Sequence, residues 1–270
     1  MTAIEEKAQR LKQTLLETES AAVAFSAGVD STLLLDMAHE ALGDKVVAVT
    51  VRSVFVPQRE IVQAQDFCAS RGIRHVVLDA DVLAVDGVRE NPPERCYLCK
   101  RALFSMILRT ARELGLRCVA EGSNADDLRD YRPGMRALRE LSVRSPLLET
   151  LWTKSEIREL SGMRGLPTWD KPAMACLATR FVCGETLTPE RLAAVEQAEE
   201  LLRSFGFQTV RVRVHGDLAR IELDASAQQA LLRQETARTV RETFHALGFR
   251  YVALDLDGYR TGSMNAGSGV

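Results

Sequence analysis

Cysteines at positions 68, 96, 99, 118, 176 and 183 are the residues of this 270-residue chain with the most distinctive chemistry, and their settings differ. Cys96-Tyr97-Leu98-Cys99 puts two sulfurs three residues apart. On a helix they share a face, and at a helix start the dipole lowers thiol pKa and favours metal binding. No second CxxC or His pair completes a tetrahedral zinc pattern, so three thiolates with one open position is the alternative. Cys176 lies in Lys171-Pro172-Ala173-Met174-Ala175-Cys176-Leu177-Ala178-Thr179-Arg180, where small residues and a nearby arginine suit a reachable thiolate. Cys183 is a fourth candidate. Cys68, in the helical pattern IVQAQDFCASRG, and Cys118, in the apolar strand LRCVAEG, read as small buried hydrophobes. Such an irregular scatter in a long chain points to reduced thiols rather than disulfide staples.

Two further patterns could handle anions. Ser26-Ala27-Gly28-Val29-Asp30-Ser31 separates an apolar strand from a helix. Small residues there let backbone N–H groups turn toward a phosphate, and the helix N-terminus adds partial positive charge. Asp30 offers a metal or pyrophosphate contact and Ser31 a hydroxyl. The Walker A pattern is absent. Arg211 and Arg213 alternate along a strand, so both project to one face and can share an anion.

The elements that must position these residues follow from period and punctuation. Strands are expected at 21–26, at 45–51 and in IRHVVLD, with helices after the first and from Pro57 to Arg71, which is the rhythm of parallel βαβ units. A polar stretch from Asp79 to Arg95, broken by Asn91-Pro92-Pro93, is expected to be an exposed loop. A third helix runs from about Tyr97 to Leu114, and a strand over 116–122 returns to the sheet. Its C-terminal loop contains Glu121-Gly122-Ser123-Asn124-Ala125-Asp126-Asp127. Beyond Pro172 the pattern changes: a helix capped by Thr188 with Pro189 in its first turn, the strands TVRVRVH and ARIELD, a helix over about 225–247, and a final strand. The chain is therefore read as an α/β domain over 1–175, a smaller α+β domain over 187–265 and a disordered tail over 266–270.

Composition narrows the partners. Lys+Arg 35 against Asp+Glu 37 gives a net charge of −2, so no global positive excess draws in nucleic acid. The charged N-terminal stretch lacks an apolar core, and no run of 18 or so uncharged residues follows. The expectation is a cytoplasmic chain with no membrane partner.

The hexapeptide at 26–31 resembles the PP-loop, Ser-Gly-Gly-x-Asp-Ser, of N-type ATP pyrophosphatases, with Ala27 where that superfamily usually has glycine. If this position needs a positive φ, alanine is strained by roughly 1 kcal/mol. The segment at 121–127 resembles the superfamily's second nucleotide-site loop, in which Gly122 and the acidic pair Asp126 and Asp127 would serve ATP and Mg²⁺. The resemblance implies a parallel sheet with helices on both faces. It becomes narrower through Asp130-Tyr131-Arg132-Pro133-Gly134, Cys176 to Arg180, Arg211-Val212-Arg213, Ala219 to Leu223 and Gly248 to Tyr251, and over about nine-tenths of the chain it is similar to the LarE family of sulfur transferases in nickel-pincer nucleotide biosynthesis, which serves lactate racemase.

That resemblance implies ATP-dependent adenylation of a carboxylate of pyridinium-3,5-biscarboxylic acid mononucleotide, followed by sulfur attack. Ser26, Gly28, Asp30, Ser31 and Lys100 would bind ATP with Mg²⁺ at Asp30, and Arg180, Arg211 and Arg213 would meet the substrate phosphate. Two sulfur chemistries are implied. In one, a cysteine matching Cys176 gives up its sulfur and becomes dehydroalanine. In the other, Cys96, Cys99 and Cys176 hold a [4Fe-4S] cluster that carries an extra sulfide. Sacrificial members lack the CxxC, so the cluster type is expected. A homo-oligomer is implied, a hexamer being one form. Competing readings are a PP-loop tRNA thiolase, ammonia transfer of the NAD or GMP synthetase kind, and a non-catalytic nucleotide or iron–sulfur binding protein.

Overall fold

A computed structural model describes residues 2–129, 133–172, 174–260 and 264. Asp130, Tyr131 and Arg132 of the loop motif, Ala173, and the tail read as disordered lie outside them. The chain groups into two compact units: Met1–Val85 with Cys96–Met174, and Asp86–Arg95 with Ala175–Val270.

The first unit opens with α1 (Ala3–Leu16), which starts at a capping box: Glu5 N donates to the Thr2 hydroxyl, and Thr2 N donates to Glu5 Oε2 at 2.7 Å. Then come β1 (Ala21–Ala24), α2 (Val29–Leu42), β2 (Val46–Arg52), α3 (Gln58–Arg71), β3 (Arg74–Asp79), α4 (Arg95–Glu113), β4 (Cys118–Ala120), α5 (Gly134–Glu140), α6 (Pro146–Glu149) and α7 (Lys154–Met163). The four strands are parallel in the order β3-β2-β1-β4, with Val23 opposite both Ala48 and Ala120.

Strand alternation divides the apolar residues between two cores. Ala22, Val47, Val49 and Val119 pack with Phe104, Ile107 and Ala111 of α4 and Leu138 of α5. Val23, Val46, Ala48 and Ala120 belong instead with Leu11 and Leu15 of α1, Leu33 to Leu35 of α2, Phe67 of α3 and Ile157 of α7. Helices thus cover both faces, as expected. From Ser31 to Ala38 every residue of α2 is buried, which is why that segment is apolar nearly all round. Its one buried acid, Asp36, is neutralised by Arg71 and by Arg164 at 2.6 Å. No described helix is long and apolar enough to cross a membrane.

The second unit contains α8 (Pro189–Ser204), β5 (Val210–His215), β6 (Leu218–Leu223), α9 (Ala225–Leu231), α10 (Gln234–Ala246) and β7 (Tyr251–Leu254). Its sheet is mixed, in the order β5-β6-β7, with β5 and β6 antiparallel and β7 parallel to β6. Thr188 caps α8 by accepting from Arg191 N, and Pro189 fills its first position, as the sequence predicts.

Two expectations are corrected. The single helix over 225–247 is two, interrupted where Arg233 turns extended (φ −61°, ψ 137°). Buried Leu231 and Val240 are nine residues apart, so on one straight helix they would face opposite sides, and the break lets both be buried. The polar stretch before α4 is not simply an exposed loop. Val88 and Asn91 are buried, Asn91 Nδ2 donates to Val182 O at 2.8 Å, and the carbonyls of Asn91 and Arg89 accept from Gly184 N and Leu187 N. Those long-range bonds explain why residues 86–95 group with the second unit.

Candidate functional site

Phe25 N bonds to Val49 O at 2.9 Å, holding the end of β1 against β2, and the turn to α2 begins at Ser26. Ser31 Oγ organises it: Ser26 N donates to it at 3.3 Å, Ser26 Oγ lies 3.0 Å away, and it donates to Gly28 O at 3.2 Å. Gly28 is the N-cap of α2 and no side chain caps the helix, so the first-turn amides offer a site of partial positive charge. This helix start stands at the C-terminal ends of β1 and β4, where the strand order reverses and α/β sheets bind ligands. Ala27 has φ +52°, so the positive-φ condition that makes alanine costly is met. Lys171 secures the turn: its Nζ donates to Ala27 O at 2.9 Å and to Glu60 and Gln63 at 2.6 Å each.

The second loop closes on the first. Gly122 leaves little room for a side chain, since a Cβ there would lie 3.0 Å from Ser31 N and 3.2 Å from Asp30 Cβ. Asn124 Nδ2 donates to Asp30 Oδ1 at 3.2 Å, and Lys154 forms an ion pair with the other oxygen of Asp30. Asp126 accepts from Lys154 N at 2.7 Å and Asp127 from Asn124 N at 3.0 Å. The acidic pair read as Mg²⁺ ligands is therefore drawn into shaping this loop and the start of α7. Buried Glu121 does similar work, accepting from Ser123 N, Ser123 Oγ and Ser145 Oγ. Lys154 and Lys171 escaped the sequence reading. Lys154 directly follows the N-cap of a Thr-x-x-Glu box and Lys171 precedes a proline, signals of local structure that do not reveal a long-range partner.

Cys96 and Cys99 lie three apart near the start of α4, both half-buried, as the motif predicts. Tyr97 between them donates to Glu140 at 2.7 Å, and Arg136 stacks 3.7 Å from its ring, so α5 braces this end of α4. Lys100 is half-buried with its stem against Gly134, where an added Cβ would come 2.7 Å from Lys100 Cδ. Cys176 belongs to the second unit and is likewise half-buried, not a core thiol. Cys183 is exposed, its thiol 3.4 Å from Asn91 O. Burial pushes the Cys68 thiol up to about 12 and raises that of Cys118, which suits their packing role. Among the described residues no group of three or more His, Cys, Asp or Glu side chains is gathered for a metal ion. Cys96 and Cys99 are thus neighbours on one helix of the first unit, and Cys176 belongs to the second.

In the second unit three arginines crowd two buried acids. Arg180 is fully buried and pairs with Glu199 through Nε at 2.8 Å and Nη2 at 3.1 Å. Arg213 pairs with Glu222 at 2.9 Å and its Nη1 donates to Thr179 O at 3.2 Å. Arg211 donates to Val210 O and lies 5.1 Å from the Tyr259 ring centre. Arg211 and Arg213 are 3% and 5% exposed, so their strand face is buried rather than solvated. Burial, then the Arg180 cation, pulls Arg211 down to about 10, and burial also lowers Arg213 against the pull of Glu222. Desolvation by burial opposes ionisation of Glu199, yet the arginines around it, Arg180 foremost, hold it at about 2. An arriving anion would relieve the like-charge pressure on Arg211. Glu199 and Glu222 were not singled out from sequence; each sits in an amphipathic pattern where a charge reads as solvent-facing.

No family model matches the chain. It is 42% identical to an uncharacterized protein of Synechocystis sp. over 262 residues, covering 97% of this chain and 98% of that one. It is 38% identical to the pyridinium-3,5-bisthiocarboxylic acid mononucleotide synthase of Lactiplantibacillus plantarum over 267 residues, covering 98% and 96%. One of the subunits of the glutamine-hydrolyzing GMP synthase of Pyrococcus abyssi is 29% identical over 74% of this chain and 68% of its own length. With near full-length coverage on both sides, the chain belongs to the LarE family, that of the pyridinium-3,5-bisthiocarboxylic acid mononucleotide synthases.

Proposed function

We propose that this protein uses ATP to adenylate a carboxylate of pyridinium-3,5-biscarboxylic acid mononucleotide and converts it to a thiocarboxylate, a step toward nickel-pincer nucleotide. The observation that carries the reading is the turn at 26–31: an uncapped helix start, held open by Ser31 and Lys171 at the sheet's switch point, suits triphosphate. The carboxylate oxygen attacks the α-phosphorus, pyrophosphate leaves, and the acyl-adenylate presents a carbonyl carbon from which sulfur can expel AMP. First-turn amides and Mg²⁺ near Asp30 would offset the charge that builds on the phosphates, with Lys100 assisting. For Asp30 to meet a cation, the ion pair with Lys154 must open, which frees a lysine beside the phosphates. Buried Arg211 and Arg213 suit the substrate phosphate.

For sulfur delivery we favour a [4Fe-4S] cluster held by Cys96, Cys99 and Cys176. The donor set is suitable in kind: three thiols that are not core-buried, two of them on one helix face. Cys96, Cys99 and Cys176 would hold such a cluster, and it would supply the sulfide for transfer. The protein's own contribution is to orient those thiols and to exclude water from the acyl-adenylate. The second reading, favoured by the place of Cys176 outside the packed core, is that its own sulfur attacks the acyl carbon, AMP leaves, and β-elimination yields thiocarboxylate and dehydroalanine.

Anaerobically purified protein separates these readings. Iron and acid-labile sulfide together with unchanged intact mass after turnover support the cluster; loss of one H₂S equivalent supports sacrifice. Pyrophosphate release from ATP that ignores the dicarboxylate mononucleotide would sink both. A homo-oligomer is part of the proposal, and sedimentation tests it.

A further inference from the structure

We infer that Arg180 is a positioning residue that, clamped by Glu199, fixes the backbone carrying Cys176 and hence the direction of its thiol. This rests on the reading of Cys176 as the residue that meets sulfur. Arg180 Nη1 donates to Ala175 O at 2.7 Å, Cys176 O at 3.1 Å and Thr179 Oγ1 at 3.1 Å. The Cys176 carbonyl also accepts from Thr179 N at 3.0 Å and Thr179 Oγ1 at 2.8 Å. Three donors on one carbonyl restrain the peptide that sets ψ of Cys176, here 152°, while the side chain stays only half-buried. The turn is held still and the thiol remains reachable.

The opposite side of the same guanidinium is anchored. Glu199 takes Arg180 Nε and Val212 N on Oε1, and Arg180 Nη2 and Arg203 Nη2 on Oε2, so both oxygens are saturated inside the second unit. Val212 lies on β5 between Arg211 and Arg213, and Arg213 also donates to Thr179 O. One buried carboxylate therefore ties the Cys176 turn to the strand that bears the buried Arg211 and Arg213. The resemblance assigned Arg180 to the substrate phosphate, but at least four of its five N–H groups are engaged by protein acceptors and it is 0% exposed. Its remaining capacity is too small for a phosphate, whereas the carbonyl clamp uses the planar fork that only arginine has.

The test uses the full chain with Arg180→Lys and Glu199→Gln. The readouts are the alkylation rate of Cys176 by iodoacetamide in protein freed of iron by chelation, followed by peptide mass, and kcat against KM for thiocarboxylate formation. Expected is a rise of about tenfold in Cys176 alkylation as the turn gains freedom, with Cys183 alkylated at its original rate. Sulfur transfer should fall about 100-fold in kcat, with KM for the mononucleotide within about twofold. Unchanged Cys176 alkylation in both variants overturns the inference. So does a rise in KM at constant kcat, which would make Arg180 a phosphate ligand. If Arg180→Lys does not fold by circular dichroism, alkylation of Glu199→Gln, a near-isosteric change, decides. Should the native protein release no pyrophosphate, the functional reading fails, while the alkylation result still judges Arg180.

Discussion

Ala27 shows how one residue can cost stability and be retained. Its φ of +52° is uncomfortable for any side chain with a Cβ, by about 1–2 kcal/mol. Its methyl is buried, which returns about 0.8 kcal/mol, and glycine would lose more backbone entropy on folding. These terms nearly cancel, so Ala27→Gly should leave stability within about 1 kcal/mol in urea titrations. A loss above about 2 kcal/mol would show that methyl packing outweighs strain. The cysteines are sorted by a similar local balance. With Cys68 pushed up to about 12 by burial, iodoacetamide at pH 8 should label Cys183 in the folded protein and leave Cys68 unmodified until denaturant is added.

Between elements, the decisive contacts are made by backbone as much as by side chains. The strand-to-loop transition after β4 passes so close to the start of α2 that Gly122→Ala must push against Ser31 N, a backbone atom of the turn at 26–31. The expected outcome is about 1–3 kcal/mol lower stability and a raised KM for ATP, read from urea midpoints and pyrophosphate release. Weaker ATP binding without lost stability would mean that only the turn moved. In the second unit, Glu199 joins α8 to β5 and to the Cys176 turn. Its folded pKa of about 2 lies below the ordinary 4.5, so its stabilisation is full above pH 4.5 and drains away as pH falls toward 2. That difference corresponds to about 3 kcal/mol. Glu199→Gln should remove this acid-dependent part of the unfolding curve, measured by chemical denaturation from pH 7 to pH 3.

For the molecule as a whole, each unit is assembled from two separate stretches of chain. Because residues 86–95 supply the carbonyls that bind Gly184 N and Leu187 N, and Asn91 caps Val182 O, a fragment starting at Ala175 lacks part of its own unit. Such a fragment should melt well below the intact protein by circular dichroism, and one in which 86–95 is linked to 175–270 should recover much of the difference. Equal melting of both fragments would show that the segment contributes little.

The first sheet, its parallel rhythm, the strand-to-helix turn at 26–31, the CxxC on a helix start and the cap of α8 were all legible in the sequence. Each depends on hydrophobic period, small residues or capping chemistry within a few neighbours, forces that act along the chain. The division between α9 and α10, the burial of Asn91, the lysine on Ala27 O and the carboxylate that gathers Arg180, Arg203 and Val212 N were not. A charged residue in a helical or strand pattern looks solvated until a partner from elsewhere in the chain removes water from it, and that partner is chosen by tertiary packing.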